Sequence, residues 1–126
     1  MSISFTGREL DIMSVLWEFG PSTAAEVRAR LDDPLAYNTV LTMLGILEQK
    51  GHVRHSEDGR TFIFHPVVDR ETAGKSAINR IVDTVFAGSD EMLLSHLVHD
   101  QKLGRKKLER LRQLLNEHLG RKEGGR

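Results

Sequence analysis

The hydrophobic period of the first 66 residues changes once, at Gly51, and this change is what most constrains the fold. Before Gly51 the apolar residues recur every three or four positions, which is the spacing of helices that bury one face. After it, residues 52–55 alternate, Asp58-Gly59 gives a turn signal, and a second run ends at Pro66. The segment therefore predicts several helices followed by one two-stranded hairpin.

Caps and stops divide the helical part into three helices. Thr6 and Glu9 have the spacing of a capping box, and Thr23 and Glu26 repeat that spacing at the second helix. A third helix is predicted over residues 38–50, with a glycine directly after it as its stop. The order of helix, helix, helix and hairpin is typical of a winged helix-turn-helix domain, which we predict over residues 1–66.

The rest of the chain predicts helices only. Apolar positions recur through residues 69–87, 90–99 and 105–119, and three short helices cannot bury so many large side chains among themselves. We therefore predict that residues 67–119 form a helical dimerisation region, and that residues 120–126 are a disordered tail. The fold class is thus mostly α with a small β-hairpin. The residues expected to supply the dimer contacts are Val82, Val85, Phe86, Leu93, Leu97, Leu108, Leu111 and Leu115.

Composition excludes several classes of function. The 126-residue chain has no cysteine, which rules out disulfides, thiolate metal sites and cysteine nucleophiles. No apolar run approaches 18 residues and no secretory signal is evident, so we predict a cytoplasmic protein without membrane insertion. His96 and His99 have a spacing that could bind a metal, but without a third ligand a surface or structural role is favoured. We predict no cofactor, no metal and no enzyme activity, since no phosphate loop or hydrolase motif is present.

Charge is divided unevenly along a chain whose formal net charge is zero. Residues 1–66 carry nine acidic and six basic side chains, a net −3, and residues 67–126 carry the compensating +3. An inference about nucleic acid therefore depends on where individual cations lie. The densest basic run, residues 102–112, is interpreted either as a solvated helix face or as a second contact for phosphate or an acidic partner.

The predicted third helix has one apolar face and one face of a different kind. The second face starts with short hydrogen-bonding side chains, which suit bases and phosphates, and the hairpin that follows carries cations. The predicted DNA-binding residues are Asn38, Thr39, Thr42, Lys50, Arg54 and Arg60. Thr39 and Thr42 could equally be ordinary surface residues, and for either arginine taken alone the role of a solvated strand residue is favoured. A protein-interaction module without DNA binding stays open as the alternative, with Leu41, Gly45 and Ile46 as its apolar contact.

Three stretches of the chain resemble the BlaI/MecI penicillinase-repressor family. They are ELDIMSVLWEFGPSTAAEVRARL for the first two helices, AYNTVLTMLGILEQKG for the recognition helix and DGRTFIFHP for the wing. The resemblance implies a homodimeric winged-helix transcriptional repressor that binds double-stranded operator DNA of dyad symmetry. It also implies that the regulated genes are of the resistance type, and that the partner is a membrane sensor-protease that triggers cleavage of the repressor.

Two departures from this family affect the expected function. The family typically has a polar residue at the position of Gly45 and arginine at that of Ile46, so we expect a weaker phosphate grip and more apolar contact, for example to thymine methyl groups. The usual cleavage point aligns near Ser95-His96, which differs from the family's Asn-Phe. This second departure argues against induction by proteolysis.

Overall fold

A computed structural model describes residues 3–100 and 102–124 of the protein. Within those residues, six helices accompany three short strands. The first part of the chain contains α1 (Gly7–Phe19), β1 (Ser22–Thr23), α2 (Ala24–Arg30), α3 (Tyr37–Gln49), β2 (Val53–Asp58) and β3 (Thr61–Pro66). The second part contains α4 (Arg70–Thr84), α5 (Asp90–Asp100) and α6 (Arg105–Gly124).

Both predicted capping boxes are present. The Thr6 hydroxyl accepts a hydrogen bond from the Glu9 N–H at 3.2 Å, and the Glu9 carboxylate accepts one from the Thr6 N–H at 2.7 Å. Thr23 and Glu26 exchange the same pair of bonds at the start of α2, at 3.1 and 2.9 Å. These bonds satisfy backbone donors that have no partner within the helix, and they fix where α1 and α2 begin.

The wing is the predicted hairpin with a third strand added at its edge. β2 and β3 pair in antiparallel register from Val53 opposite Pro66 to Asp58 opposite Thr61, and the short β1 lies on the other side of β3. The loop consists of Gly59 and the residue after it, and only Gly59 has a positive φ, at 65°. A positive φ at the first loop residue alone is the pattern of a type II′ turn, whose twist matches that of the strands.

One hydrophobic core joins the first three helices to the wing. The side chains that form it come from α1, α2, α3 and the roots of β2 and β3. They are Ile12, Met13, Val15, Leu16, Ala24, Val27, Val40, Leu44, Leu47, Val53 and Phe64. This arrangement confirms the predicted fold class, and it leaves the opposite side of α3 uncovered.

The chain divides into two compact units, residues 1–79 and 80–126, and α4 runs across the boundary. The first unit therefore extends beyond residue 66, where we placed the domain boundary. The reason lies in side-chain contacts of the linker and α4. The Trp17 indole N–H donates to the Val68 carbonyl at 2.8 Å, the Ser76 hydroxyl donates to the Ile3 carbonyl at 3.3 Å, and Ala73 is buried.

The second unit has little buried surface of its own. No described side chain of α5 is buried, and of the described α6 side chains only Leu111 is even half-buried. α6 continues through Gly124, so our prediction of a disordered tail is wrong over residues 120–124, and residues 125–126 lie outside the described part of the chain. Arg121 and Lys122 in the last turn favour this extension because cations stabilise a helix C-terminus. None of the described helices is long and apolar enough to cross a membrane.

Candidate nucleic-acid interface

The outer face of α3 is the exposed side of the helix. Its inner face is fully buried through Val40, Leu44 and Leu47, each with 0% exposure, which fixes the orientation of the helix on the core. The residues exposed on the other side define what we call the outer face. They are Asn38, Thr39, Thr42, Gly45, Ile46 and Gln49. Three of the six predicted DNA-binding residues thus lie together on it, along its first two turns.

Leu41 does not belong to the outer face, contrary to our interpretation. It is half-buried, packs against the core and lines a groove between α3 and the wing. The groove has a volume of about 450 Å³, and Tyr37, Phe62 and Arg60 also line it. The apolar part of the outer face is therefore reduced to Gly45 and Ile46.

The two arginines of the wing lie at different places on it. Arg60 is the second residue of the loop, at the tip, and its side chain lines the groove beside α3. Arg54 lies near the base of β2, where it pairs with His65 across the strands. Both are exposed, and across residues 3–100 and 102–124 neither forms an ion pair with a carboxylate. Their charges are available to a ligand.

Lys50, which we predicted to contact DNA, forms an ion pair within the chain. Its ammonium lies 2.9 and 3.1 Å from the two carboxylate oxygens of Glu9 and also donates to the Ser4 carbonyl at 3.3 Å. The Glu9 side chain is only 4% exposed, whereas that of Lys50 is 34% exposed. An ammonium held in this way is compensating a buried carboxylate, so Lys50 is removed from the set of free cations.

The environment of Glu9 explains why it stays ionised. Burial by itself raises the pKa of a carboxyl group, but hydrogen bonds from Lys50 and Thr6 and the positive charge of Lys50 outweigh it. The pKa of Glu9 is therefore held below its usual range. At neutral pH the pair is a salt bridge, and it ties the C-terminal end of α3 to the start of α1.

His52 is a core residue rather than a cation of the wing. It is 2% exposed, its ring centroid lies 4.8 Å from that of Phe5, and its Nδ1 has no hydrogen-bond partner among the described residues. Burial and the nearby charge of Lys50 lower the pKa of His52, which keeps the ring neutral. Its backbone N–H donates to the Leu47 carbonyl and its carbonyl accepts from the Val67 N–H, both at 2.9 Å.

His55, in the middle of β2, contacts α3. Its Nδ1 lies 2.6 Å from the nearer carboxylate oxygen of Glu48, and its ring stacks on Phe62 at 4.5 Å. This contact holds the base of the wing against the C-terminal half of α3. The role of His55 is therefore to orient the wing.

The predicted dimer residues form no core within the chain. Val85, Leu97, Leu108 and Leu115 are between 37% and 68% exposed. Val82, Phe86, Leu93 and Leu111 are half-buried.

The described residues contain no group of three or more side chains placed to bind a metal. His96 instead pairs with Asp100 at 2.5 Å and packs on Phe86.

The three-helix core, the uncovered α3 and the arginine-tipped hairpin beside it define a winged helix-turn-helix protein of the DNA-binding class. Comparison with known proteins agrees. The sequence profile of the penicillinase repressor family matches residues 5–117, and the chain belongs to that family. It is therefore a DNA-binding transcriptional repressor and not an enzyme.

Individual relatives support both the family and the fold. The penicillinase repressor of Bacillus licheniformis is 31% identical over 121 residues, which cover 91% of each chain. The solution structure of monomeric B. licheniformis BlaI in complex with the blaP half-operator is 28% identical, with a TM-score of 0.50 over 57% of this chain and 90% of that one. A transcriptional regulator from Thermotoga maritima, 22% identical, shares the fold with a TM-score of 0.52 over 96% of this chain and 78% of that one.

Proposed function

We propose that the protein represses transcription as a homodimer bound to an operator of dyad symmetry. In each half-site α3 enters the major groove and the wing rests on the DNA backbone. The observation that carries this proposal is the outer face of α3, which is uncovered and has the unpaired Arg60 at the wing tip beside the helix. The half-operator bound by the similar B. licheniformis BlaI supports it. A repressor of this kind acts where the chromosome lies, so we place it in the cytoplasm.

Three residues at the start of α3 are proposed to contact bases and nearby phosphates. Asn38, Thr39 and Thr42 are exposed, and their side chains form no hydrogen bond with the rest of the described chain. An asparagine amide can donate to and accept from adenine at once, and a threonine hydroxyl can serve either a base or a phosphate. These groups are free to bind DNA because the fold does not use them.

Phosphate contacts are proposed for Arg54 and Arg60 only. Since Lys50 already neutralises Glu9, assigning it to DNA would leave a buried carboxylate without a counter-charge. Arg60, at the wing tip beside α3, is the stronger of the two candidates because a phosphate next to the recognition helix lies within its reach.

A DNA titration tests both assignments. The full chain is titrated by fluorescence anisotropy against the promoter of its own gene and against a random duplex, at several salt concentrations. Arg60→Ala is expected to weaken binding to both duplexes and to lower the salt slope by about one, because one phosphate contact is lost. Thr42→Ala is expected to reduce promoter binding more than random binding.

Arg8→Ala is the matched control for this titration. Arg8 is an arginine on α1, not on α3 or the wing, and it pairs with Asp33 at 2.6 Å. Its removal is expected to leave the salt slope unchanged. Equal losses on both duplexes for Thr42→Ala would exclude direct readout by that residue. No binding to either duplex at low salt would favour the protein-interaction module. The net −3 charge of residues 1–66 is the sequence feature that supports this alternative.

The second unit is proposed to form the dimer. Its helices expose large apolar side chains that a second copy would cover, and removing apolar surface from water is the main driving force of such association. Leu115→Glu would place a charge in this surface and is expected to yield a monomer by analytical ultracentrifugation. A monomeric wild-type chain at micromolar concentration would contradict the proposal.

A membrane sensor-protease is proposed as the partner that relieves repression, although Ser95-His96 stands where the family has its usual Asn-Phe cleavage point. Ser95 and His96, near the cleavage point expected from the family, are exposed but lie in the middle of α5. A protease would need this helix to open before it could cut. Mass spectrometry of the repressor from induced cells tests the proposal, and an intact chain under full induction would exclude cleavage as the signal.

A further inference from the structure

Gly45 lies in the middle of the recognition helix, although neither packing nor backbone conformation requires a glycine there. It is exposed, and an added Cβ would meet no atom within 4 Å. Its φ is not positive, unlike that of Gly51 at the end of the helix. Glycine inside a helix is less favourable than alanine because it loses more backbone freedom on folding. The chain thus keeps a destabilising residue on its DNA-facing helix without a structural reason.

The position of Gly45 suggests what it is for. It follows Thr42 by one turn on the outer face and precedes Gln49 by another, so bare backbone separates these two side chains. Ile46 stands next to it and is 40% exposed. The absence of a side chain at Gly45 leaves room for a ligand atom there, and Ile46 is the apolar side chain adjacent to it in sequence. Neither Gly45 nor Ile46 has a side-chain group that can form a hydrogen bond with a base edge.

We propose that Gly45 and Ile46 determine operator specificity by recognising the 5-methyl group of a thymine. This inference depends on the proposed placement of α3 in the major groove. The thymine methyl is the apolar group among the base edges of that groove. The missing side chain at Gly45 lets it reach the helix backbone, and Ile46 covers it from the side.

The first experiment removes the methyl group alone. Duplexes are selected from a randomised library by the full chain, and each thymine of the selected half-site is then replaced by deoxyuridine. At one thymine per half-site the affinity is expected to fall about three- to fivefold, the loss for one buried methyl group. With Ile46→Ala, the same replacement is expected to have almost no effect, because the methyl has lost its apolar partner.

The second experiment separates stability from recognition. Gly45→Ala is expected to raise the Tm by about 4 °C, as removing a helical glycine should. It is also expected to lower the affinity for the selected duplex about tenfold, with little change for a random duplex. Gly45→Leu is expected to lower it further. A variant with a higher Tm and a lower affinity for the selected duplex cannot have lost that affinity through a folding defect.

Gly74→Ala is the matched control. Gly74 is also an exposed helical glycine with no atom within 4 Å of an added Cβ, but it lies in α4. Its replacement is expected to raise the Tm similarly and to leave DNA binding unchanged. The proposal is overturned if Gly45→Ala binds the selected duplex like wild type, or if deoxyuridine costs the same with and without Ile46. A wild-type chain that selects no duplex would instead overturn DNA binding itself, and the inference with it.

Discussion

Lys50→Met is expected to destabilise the first unit without changing the salt slope of DNA binding. The substitution keeps most of the apolar stem of the side chain and removes the ammonium group, so Glu9 remains buried with the hydrogen bond from the Thr6 N–H and no counter-charge. Removing one partner of a fully buried ion pair costs about 3–5 kcal/mol. Because the Lys50 side chain is 34% exposed, water already screens part of the interaction, and we expect a loss of about 2 kcal/mol.

Urea denaturation followed by tryptophan fluorescence measures this loss. The chain has a single tryptophan, Trp17, and it lies in the first unit with its indole bonded to the Val68 carbonyl. A loss of about 2 kcal/mol corresponds to a fall in Tm of about 10 °C for a unit of this size. The matched control is Arg8→Met, which removes an ion pair whose side chains are 46% and 65% exposed, and it is expected to cost less than about 1 kcal/mol.

A double-mutant cycle identifies the cause. If the cost comes from an unpaired Glu9 carboxylate, Lys50→Met should cost little in a Glu9→Gln background. The cost should also depend on pH. The pKa of Glu9 is lowered in the native protein, so the pair stabilises above the ordinary carboxyl range, and this stability is lost as the pH falls through the native pKa. Wild type and Lys50→Met should therefore converge in acid.

Two results would refute this reasoning. In the first, Lys50→Met lowers the free energy of unfolding by the same amount in wild type and in the Glu9→Gln variant. The ion pair would then not be the source of the stability. A salt slope of DNA binding that falls by about one, as predicted for Arg60→Ala, would mean that Lys50 contacts phosphate after all.

Three further perturbations follow from the same core. Stability should fall as the pH drops below about 6.5, because His52 takes up a proton in the unfolded chain while its lowered native pKa keeps it neutral in the folded protein. Urea titrations at several pH values measure this dependence, and His52→Leu should flatten it. Leu44→Ala should cost about 3 kcal/mol by thermal unfolding because Leu44 is fully buried, whereas Leu10→Ala, at 38% exposure, should cost far less. Trp17→Phe should lower the free energy of unfolding by about 1 kcal/mol because the hydrogen bond to the Val68 carbonyl is lost. Unfolding followed by circular dichroism measures this loss, and an unchanged free energy of unfolding would contradict it.

Much of the fold was predictable because its signals are local. The capping boxes at Thr6 and Thr23 need only residues three positions apart, and the hairpin needs only an alternating pattern around a glycine. The edge strand β1 was missed because two residues cannot show a period. The end of α6 was missed because glycine and charge are typical of tails, although the helix runs on through Gly124.

The candidate site was predictable only where side chains face solvent. Asn38 and Thr42 follow from the period of α3, since the face opposite the core has to be exposed. The position of Lys50 in sequence resembles that of a free cation, but its partner Glu9 lies 41 residues earlier in the chain. His52 is likewise hidden by a contact with Phe5 that no local pattern records. Pairings across the core decide which charges a ligand can use.

The backbone of a single residue, His52, connects the recognition helix to the segment that leads into α4. The His52 N–H donates to the Leu47 carbonyl in α3, and the His52 carbonyl accepts a hydrogen bond from the Val67 N–H. A displacement of the segment around Val67 would break a hydrogen bond of the same residue that binds the Leu47 carbonyl in the last turn of the recognition helix. The end of the recognition helix and the chain entering α4 are therefore coupled through two hydrogen bonds of one residue, so the orientation of the DNA-facing surface depends on how the segment before α4 is held.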